Sequence, residues 1–174
     1  MCEAADPSDT KRALRARMRE VRRSIAADTA DRVARSRRIC ERVVAAITTG
    51  TAEIALAGRR LMVYEPLAVE PDVAILVEWA NANGVDVFVP EVAGPELRVM
   101  PGDVDPTTID FIVVPGLAFT RDATRLGQGG GHFDRFLPLL ADDCLRIGVA
   151  FREQIVDGLP VESHDVPLDL VVTD

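Results

Sequence analysis

The stretch Arg125-Leu126-Gly127-Gln128-Gly129-Gly130-Gly131-His132-Phe133-Asp134-Arg135 brings four of the chain's twelve glycines into five residues. The apolar run 111–114 precedes it and predicts a buried strand, which Pro115-Gly116 ends. Downstream, apolar residues recur at helical spacing at Phe133, Phe136, Leu137 and Leu140. The glycines are therefore expected between a strand-and-loop unit and the start of a helix. Backbone N–H groups there lack partners within the helix and favour an anion.

The side chains around the glycines favour phosphate as that anion. Because glycine has no Cβ, the backbone can approach a ligand closely and wrap its N–H groups around phosphate oxygens. Arg125 and Arg135 can add charge-assisted hydrogen bonds, and Asp134 offers a carboxylate to Mg²⁺. The alternative is a flexible loop that only caps a helix. The spacing is neither the Rossmann fingerprint nor the Walker A motif, so neither class of site is predicted.

Apolar periodicity on both sides of this stretch predicts alternating strands and helices. Two helices come first, one from Ser8 or Asp9 through Ile25 and one from Asp28 or Thr29 to Gly50. They are followed by strands at 60–64, 86–89, 111–114, 146–151 and 168–172, and by a helix over 73–82. Strands that are nearly continuous apolar runs are buried on both faces. We therefore expect an α/β fold: a three-layer, mostly parallel (Rossmann-like open) sheet with helices on both faces, preceded by the two N-terminal helices.

The length of 174 residues predicts a single domain over 1–174, with 1–7 as a disordered tail. The sequence contains no run of eighteen apolar residues, and its N-terminus lacks the charged-then-apolar pattern of a signal peptide. We therefore expect no membrane span and a cytoplasmic protein. Cys2, Cys40 and Cys144 are odd in number and have no metal-binding spacing, which predicts reduced thiols. The absence of a heptad run leaves the oligomeric state unpredicted.

Charge is distributed unevenly along the chain. Residues 1–50 carry a net charge of +5 and residues 51–174 one of −13. The basic N-terminal region could bind nucleic acid, fold back onto the acidic body or hold a phosphorylated ligand. No aromatic residue is interleaved with its arginines, so we expect no nucleic-acid partner. Lys11, the only lysine beside nineteen arginines, shares a helix face with Arg15.

Several polar stretches are expected at the carboxyl ends of the strands, where open α/β sheets bind ligands. They are Tyr64-Glu65, 115–119, the loop 125–134 and His164-Asp165. No Gly-x-Ser-x-Gly elbow is present, and two histidines with scattered cysteines do not make a zinc site. The class of protein that remains is one that binds a Mg-nucleotide or a phosphoester. Such a protein positions its ligand and neutralises the phosphate charge.

Two segments together resemble the signature of the 5-formyltetrahydrofolate cyclo-ligase family: Val114-Pro115-Gly116-Leu117-Ala118-Phe119 and the glycine stretch that follows. The similarity extends to Lys11-x-x-Leu14-Arg15 with Arg22 and Ser36 beyond, to Glu70 six residues after Tyr64, and to the tail Glu162-x-His164-Asp165-x-Pro167-Leu168-Asp169 with Thr173. It therefore spans residues 11–173. The resemblance implies conversion of 5-formyltetrahydrofolate to 5,10-methenyltetrahydrofolate, dependent on ATP and Mg²⁺, with release of ADP and phosphate.

The resemblance also implies roles for individual residues. ATP would contact Lys11, Arg12, Arg15, Arg125, Gly127, Gly129, Gly130, Gly131, His132 and Phe133. The reduced folate would contact Arg15, Tyr64, Glu65, Glu70, Gln128 and His132. Asp134 and Asp165 would bind Mg²⁺, and Arg125 and Asp134 would be the catalytic pair.

The chain departs from the family pattern on the folate side. His132-Phe133 replaces two tyrosines that are common in the family, and Gln128 stands where a tyrosine is frequent. The segment between Pro90 and Asp110 is short and contains no aromatic residue. These departures support an alternative hypothesis, in which the chain is an ATP-binding paralogue with another substrate or a non-catalytic binding or regulatory role.

Overall fold

The computed structural model describes residues 7–50, 55–160, 162 and 166–174, without the side chains of 7–9 and 50. The helices are α1 (Pro7–Ala26), α2 (Thr29–Gly50), α3 (Ala74–Ala82) and α4 (His132–Phe136). The strands are β1 (Arg60–Met62), β2 (Asp86–Ala93), β3 (Glu96–Met100), β4 (Phe111–Pro115), β5 (Ala118–Phe119), β6 (Arg125–Leu126), β7 (Leu145–Ala150) and β8 (Leu170–Thr173). Short 3₁₀ turns occupy Pro106–Thr108, Leu137–Leu139 and Arg152–Gln154.

Six strands form one sheet in the order β3-β2-β1-β4-β7-β8. All neighbours pair in parallel except β2 and β3, which are antiparallel. The chain therefore runs from β1 outward through α3 to β2 and β3, then returns to β4 on the other side of β1. This reversal makes the β1–β4 boundary a topological switch point, where open α/β sheets form ligand crevices. The predicted mostly parallel sheet is confirmed.

Alternate residues of the strands face opposite layers, as the two-residue period of a strand requires. In β4, Phe111 and Val113 pack in one core with the buried residues of α2 and α3, whereas Ile112 and Val114 pack in another with Phe136. Both faces of the sheet are thus covered. The three-layer architecture and its two N-terminal helices are as expected from the sequence.

The antiparallel edge of the sheet differs from the prediction. The sequence predicted that Pro90 would end β2, but the strand continues to Ala93 and pairs with β3, with Pro90 opposite Val99. The pairing of β2 with β1 ends at Phe88, so only β3 flanks Pro90. A proline tolerates a strand position with one open side because its missing N–H is not needed there. The short 90–110 segment therefore contains a β-hairpin.

Helix α1 lies across a second, two-stranded sheet made of β5 and β6. Met18 is buried in a small core with Leu117, Ala118 and Leu126. Because β5 and β6 directly follow the carboxyl end of β4, this core places α1 at the switch point. The basic helix is therefore folded back onto the body of the protein, which was one of the three possibilities left open by its charge.

Two of the three cysteines are buried free thiols, as predicted. Burial raises the pKa of Cys40 to about 11 and that of Cys144 to about 12, so neither forms a thiolate at neutral pH. Cys2 lies outside the described residues. So do residues 1–6 of the expected tail, and α1 begins at Pro7. Within the described ranges, no helix combines the length and apolar character needed to cross a membrane.

Candidate active site

Two adjoining cavities lie beside the glycine loop at the switch point. We call the larger, of about 300 Å³, the apolar cavity, and the smaller, of about 150 Å³, the polar cavity. Four residues line both cavities and form their shared wall: Arg125, Gly127, Gly131 and Asp134. A group bound on one side of this wall therefore lies close to a group bound on the other.

The glycine loop begins with a turn that the sequence did not predict. After β4 the chain forms β5, turns back at 120–124 and returns as β6, so that Phe119 pairs with Arg125. Ala123 takes a positive φ of 62° in this turn. The hairpin holds Arg125 on an ordered strand instead of a loose loop. This is why its guanidinium can occupy a defined position in the wall.

Two glycines of the loop adopt backbone conformations that other residues rarely take. Gly129 has φ 107° and Gly131 has φ 67°, and Gly131 is the residue that precedes α4. Helix α4 contains only five residues, so its dipole is weak. The sequence predicted an anion site at the N-terminus of this helix. Because the dipole is weak, the positive charge at the loop comes mainly from the cationic side chains nearby.

Gln154 fixes the backbone from which the loop starts. Its side chain is fully buried and donates from Nε2 to the carbonyl oxygens of Gly116 and Leu117, at 2.9 and 3.0 Å. Its Oε1 accepts from the Phe151 N–H at 3.0 Å. Sequence reasoning missed this residue because a glutamine next to Arg152 and Glu153 is expected on the protein surface.

Cationic side chains from α1 and the loop line the polar cavity. Lys11 is 6% exposed, and its Nζ lies 3.2 Å from Oε2 of Glu162, a second carboxylate of the cavity. Arg15 also lines it and donates from Nε to the Gly127 carbonyl at 3.1 Å. Together with Arg125 they make a concentration of positive charge suited to phosphate. Arg12 is exposed on α1 and is absent from the described linings of both cavities.

Arg125 and Asp134 form an ion pair at the centre of the shared wall. Nη2 of Arg125 donates to Oδ1 of Asp134, and Nη1 donates to the Pro115 carbonyl at 3.3 Å. The guanidinium carbon lies 5.5 Å from the centroid of the Phe133 ring. Oδ2 of Asp134 accepts no hydrogen bond from the described part of the chain. That oxygen is therefore available while the ion pair stays intact.

The donor set of the polar cavity fits Mg²⁺ only in the presence of a phosphate. No group of three or more His, Cys, Asp or Glu residues suited to a metal exists among the described residues. Asp134 and Glu162 both line the cavity, and Mg²⁺ typically takes one or two carboxylates, with substrate phosphates and water completing its shell. Asp165, the other predicted ligand, and His164 lie outside the described residues.

The β2–β3 hairpin forms one side of the apolar cavity. The apolar lining of the cavity consists of Leu67, Pro90, Val92, Leu97, Pro115 and Phe133. The Pro95 carbonyl at the hairpin turn accepts from Arg135 Nε at 2.9 Å and lies 3.2 Å from His132 Nδ1. These contacts join the hairpin to the glycine loop. The short 90–110 segment thus supplies a wall of the cavity without any aromatic residue.

Glu70 and Tyr64 line the apolar cavity in fixed orientations. Oε1 of Glu70 lies 2.8 Å from Arg22 Nη2, and Oε2 accepts from the Leu67 N–H at 3.0 Å. The Tyr64 hydroxyl donates to the Pro71 carbonyl at 2.6 Å. Burial, followed by the charge of Glu70, raises the pKa of Tyr64 well above its usual value, so the hydroxyl stays protonated.

Arg22 belongs to the family resemblance, but sequence reasoning gave it no role in the site. It is 1% exposed and holds Glu70 from α1. The sequence feature that could have indicated its burial is its position in the apolar stripe of α1, between Met18 and Ile25. A solvated arginine is not expected there.

The remaining predicted residues also lie at the cavities. Glu65, Gln128 and His132 line the apolar cavity, and Gly130 does so in the loop between them. Gly129 lines the polar cavity. The described members of the predicted ATP and folate sets thus line one or both of these adjoining cavities, except Arg12, which is absent from both described linings.

Comparisons with known proteins identify relatives of this chain. The family model described as the 5-formyltetrahydrofolate cyclo-ligase family matches residues 92–174. The 5-formyltetrahydrofolate cyclo-ligase of Mycoplasma pneumoniae is 31% identical over 121 residues, which cover 67% of this chain and 73% of the relative. The mouse (Mus musculus) protein of the same name is 23% identical over 202 residues, covering 97% and 96%. The solved 5,10-methenyltetrahydrofolate synthetase of Mycoplasma pneumoniae superposes with a TM-score of 0.82 at 28% identity, over 94% of this chain and 98% of that one.

Proposed function

The chain belongs to the 5-formyltetrahydrofolate cyclo-ligase family, and we propose that its two cavities bind the two substrates of that reaction on opposite sides of the Arg125–Asp134 wall. The reaction converts 5-formyltetrahydrofolate to 5,10-methenyltetrahydrofolate and uses ATP. The polar cavity takes the phosphates of ATP, and the apolar cavity takes the reduced pterin.

One observation carries this assignment: a phosphate-sized cationic cavity and a larger apolar cavity share four lining residues. The reaction needs the γ-phosphoryl group of ATP to reach the formyl oxygen of the folate. Such a transfer requires the two groups to meet in line, within van der Waals distance and out of water. The two cavities meet at these four residues, so groups bound in them can come together beside the charged pair.

On the phosphate side, Lys11, Arg15 and Arg125 neutralise the charge of the triphosphate. The backbone N–H groups of the glycine loop add directional hydrogen bonds. Arg125 stays beside the transferred group throughout, because it lines both cavities and is held by Pro115 and Asp134. Its guanidinium stabilises the negative charge on the equatorial oxygens in the transition state.

The chemistry then closes a ring. Transfer of the γ-phosphoryl group to the formyl oxygen breaks its bond to ADP and turns that oxygen into part of a leaving group. The nitrogen at position 10 attacks the formyl carbon and gives up its proton to the departing phosphate, which leaves with the former formyl oxygen. The chain supplies orientation and charge stabilisation for these steps and forms no covalent bond of its own.

On the folate side, Glu70 is the residue that orients the pterin. A carboxylate held by Arg22 and the Leu67 N–H keeps a fixed position, and its remaining lone pairs can accept from the N–H groups at the edge of the ring. Phe133 offers an apolar face for stacking in place of a tyrosine, and His132 and Gln128 supply polar groups at the rim.

Asp134 is the proposed Mg²⁺ ligand, through the oxygen that Arg125 does not engage. When bound, Mg²⁺ would offset phosphate charge. Glu162 lines the same cavity and could hold a water of the metal, and Asp165 remains a proposed ligand.

The test is incubation of the purified protein with 5-formyltetrahydrofolate, ATP and Mg²⁺ while the absorbance of the methenyl product is followed. We expect product formation that requires both substrates, with one ADP released per methenyl group. Measurable ATP binding without any product would contradict the assignment and favour a paralogue with another substrate. A matched pair of variants places the metal: Asp134→Asn should lose Mg-dependent turnover, and Asp142→Asn, an exposed aspartate outside the cavities, should keep it.

The compartment in which the protein acts stays a prediction. The sequence favours the cytoplasm, while one relative from Arabidopsis thaliana is named mitochondrial. Fractionation of cells that produce the protein would decide this point.

A further inference from the structure

The tip of the β2–β3 hairpin, residues 91–98, extends past the end of β1. Strand β2 pairs with β1 only as far as Phe88, so beyond that residue β2 is paired with β3 alone. Most of the tip is exposed, and the side chain of Val92 is 61% exposed. A two-stranded ribbon has little stability of its own and depends on contacts with the rest of the chain. Another element must therefore set the position of the tip.

That element is the glycine loop, which reaches the tip through Arg135 of α4. Arg135 Nε donates to the Pro95 carbonyl at 2.9 Å, and Nη2 donates to the Gly130 carbonyl of the loop at 2.7 Å. The guanidinium also lies against Gly131, where an added Cβ would be only 2.7 Å from Nη1. Among the described residues, the polar contacts that reach the tip from outside the hairpin are those from Arg135 and His132 to the Pro95 carbonyl. Arg135 therefore clamps the tip to the loop.

The sequence predicted a different partner for this arginine. Its place beside the glycines indicated a hydrogen bond to phosphate, but Arg135 is absent from the described linings of the polar and apolar cavities. The two segments that it joins both line the apolar cavity, the hairpin through Pro90, Val92 and Leu97 and the loop through Gly130 among others. The three hairpin residues do not belong to the described lining of the polar cavity. A shift of the hairpin relative to the loop would therefore change the shape of the apolar cavity.

We propose that Arg135 is a positioning residue for the folate, because its clamp fixes the hairpin against the glycine loop and so sets the width of the apolar cavity. This inference rests on the proposed function, which places the pterin in that cavity. Arg135 acts through Val92 and Leu97, which supply apolar contacts to the pterin. A guanidinium suits this task because its planar fork can donate to two separate carbonyls at once.

Arg135→Gln removes the clamp and tests its role. We expect KM for 5-formyltetrahydrofolate to rise about fivefold, while kcat and KM for ATP stay within about twofold of their wild-type values. The rise is modest because Arg135 is exposed and His132 Nδ1 remains beside the Pro95 carbonyl. No rise in KM for the folate, or an equal rise in KM for ATP, would overturn the proposal.

Arg98→Gln is the matched control for loss of charge. Arg98 is an exposed arginine of the same hairpin and is absent from the described linings of both cavities. Its substitution should leave kcat and both KM values unchanged. If it raised KM for the folate as much as Arg135→Gln does, the effect would come from charge alone and the clamp would be refuted.

A double-mutant cycle separates positioning from a general loss of stability. Leu97→Ala alone should raise KM for the folate about fivefold, because it removes an apolar contact. Without the clamp, Leu97 no longer meets the pterin. In the Arg135→Gln background, Leu97→Ala should therefore raise KM by less than about twofold more. Effects that multiply fully would show that the two residues act independently, which contradicts the proposal.

Hydrogen exchange and calorimetry keep this test separate from that of the reaction. Arg135→Gln should speed amide exchange at 91–98 and leave exchange in β4 and β7 unchanged. If the wild-type protein forms no product, the proposed function fails, and the clamp is judged by exchange and by binding of 5-formyltetrahydrofolate. Weaker binding in Arg135→Gln, together with faster exchange at the tip, supports the proposal. Unchanged exchange, equal affinity, or no binding to the wild-type protein rules it out.

Discussion

The polar and apolar cavities share a wall but differ in how their polar side chains are held. In the apolar cavity, both oxygens of Glu70 and the hydroxyl of Tyr64 are already bonded to the protein, and both side chains are buried. In the polar cavity, Arg15 makes one hydrogen bond to a backbone carbonyl, and Lys11 faces the exposed Glu162. The apolar side is organised by hydrogen bonds to its polar side chains, whereas the polar side is distinguished by its concentration of positive charge.

The chemistry of the two proposed substrates accounts for this difference. A neutral pterin edge is recognised by the direction of a few hydrogen bonds, so its partners must be fixed in advance. A triphosphate is recognised mainly through its charge, which cationic side chains can offset. The contrast predicts that variants on the two sides will affect different kinetic constants, whereas variants of the shared wall will affect the chemical step.

The largest effect is expected for Arg125→Gln. The change removes the charge at the centre of the wall, so kcat should fall about a thousandfold. Arg121→Gln removes an exposed arginine from the β5–β6 turn and should leave kcat unchanged. Steady-state kinetics with each substrate varied in turn measure both. A wild-type kcat in Arg125→Gln would mean that the wall takes no part in the transfer.

The wall was predictable from the sequence because its parts lie close together in it. Arg125, the glycines and Asp134 fall within ten residues, and their types alone indicate phosphate chemistry. The order of strands and helices could also be predicted from the sequence, because buried parallel strands are continuous apolar runs. The β5–β6 hairpin that holds Arg125 could not be predicted, because strands of two residues are too short to show a periodic pattern.

A smaller effect, confined to one side, is expected for Lys11→Met. The buried ammonium is lost from the polar cavity, so KM for ATP should rise about thirtyfold and KM for the folate should not change. Arg17→Met, also on α1, is the control. A rise in KM for both substrates would contradict the assignment of ATP and the folate to separate cavities.

The counterpart on the other side is Glu70→Gln. The amide keeps the shape but donates where a carboxylate accepts, so KM for 5-formyltetrahydrofolate should rise about tenfold while KM for ATP stays the same. The change also leaves Arg22 without its counter-ion, which should lower the free energy of unfolding by about 3 kcal/mol. Glu78→Gln, an exposed change on α3, controls for loss of charge alone. Thermal unfolding must be measured alongside to confirm that the variant is folded in the assay.

The apolar side was less predictable than the wall because its residues are distant in sequence and ordinary in type. Val92 and Leu97 line the cavity only because β2 continues through Pro90 into a hairpin. The role of Arg22 depends on a partner 48 residues away. Glu70 was recognised through the family resemblance, while its fixed orientation became visible only with Arg22 and Leu67 in place.

The smallest effect on activity is expected where neither cavity is involved, at the ion pairs that tie α2 to β8. Arg35 binds Asp174 through Nε and Nη2, each at 2.9 Å, and Arg152 Nη2 binds it at 2.9 Å. Burial of the Asp174 carboxylate raises its pKa, but the hydrogen bonds from Arg35 and Arg152 outweigh burial and lower it to about 2. Because the folded-state pKa is below the ordinary value of 3.8, the stabilisation is complete above that value and is lost as the pH falls towards 2.

Asp174→Asn should therefore lower the free energy of unfolding by about 1–2 kcal/mol at neutral pH while kcat and both KM values stay at wild-type levels. Denaturant unfolding across the acid range measures the first, and the difference between the two proteins should vanish as the pH approaches 2. Asp142→Asn should show no such pH-dependent difference. If Asp174→Asn instead raised KM for either substrate, the cavities would depend on the α2–β8 contact, and the contrast between them could not be attributed to their own side chains.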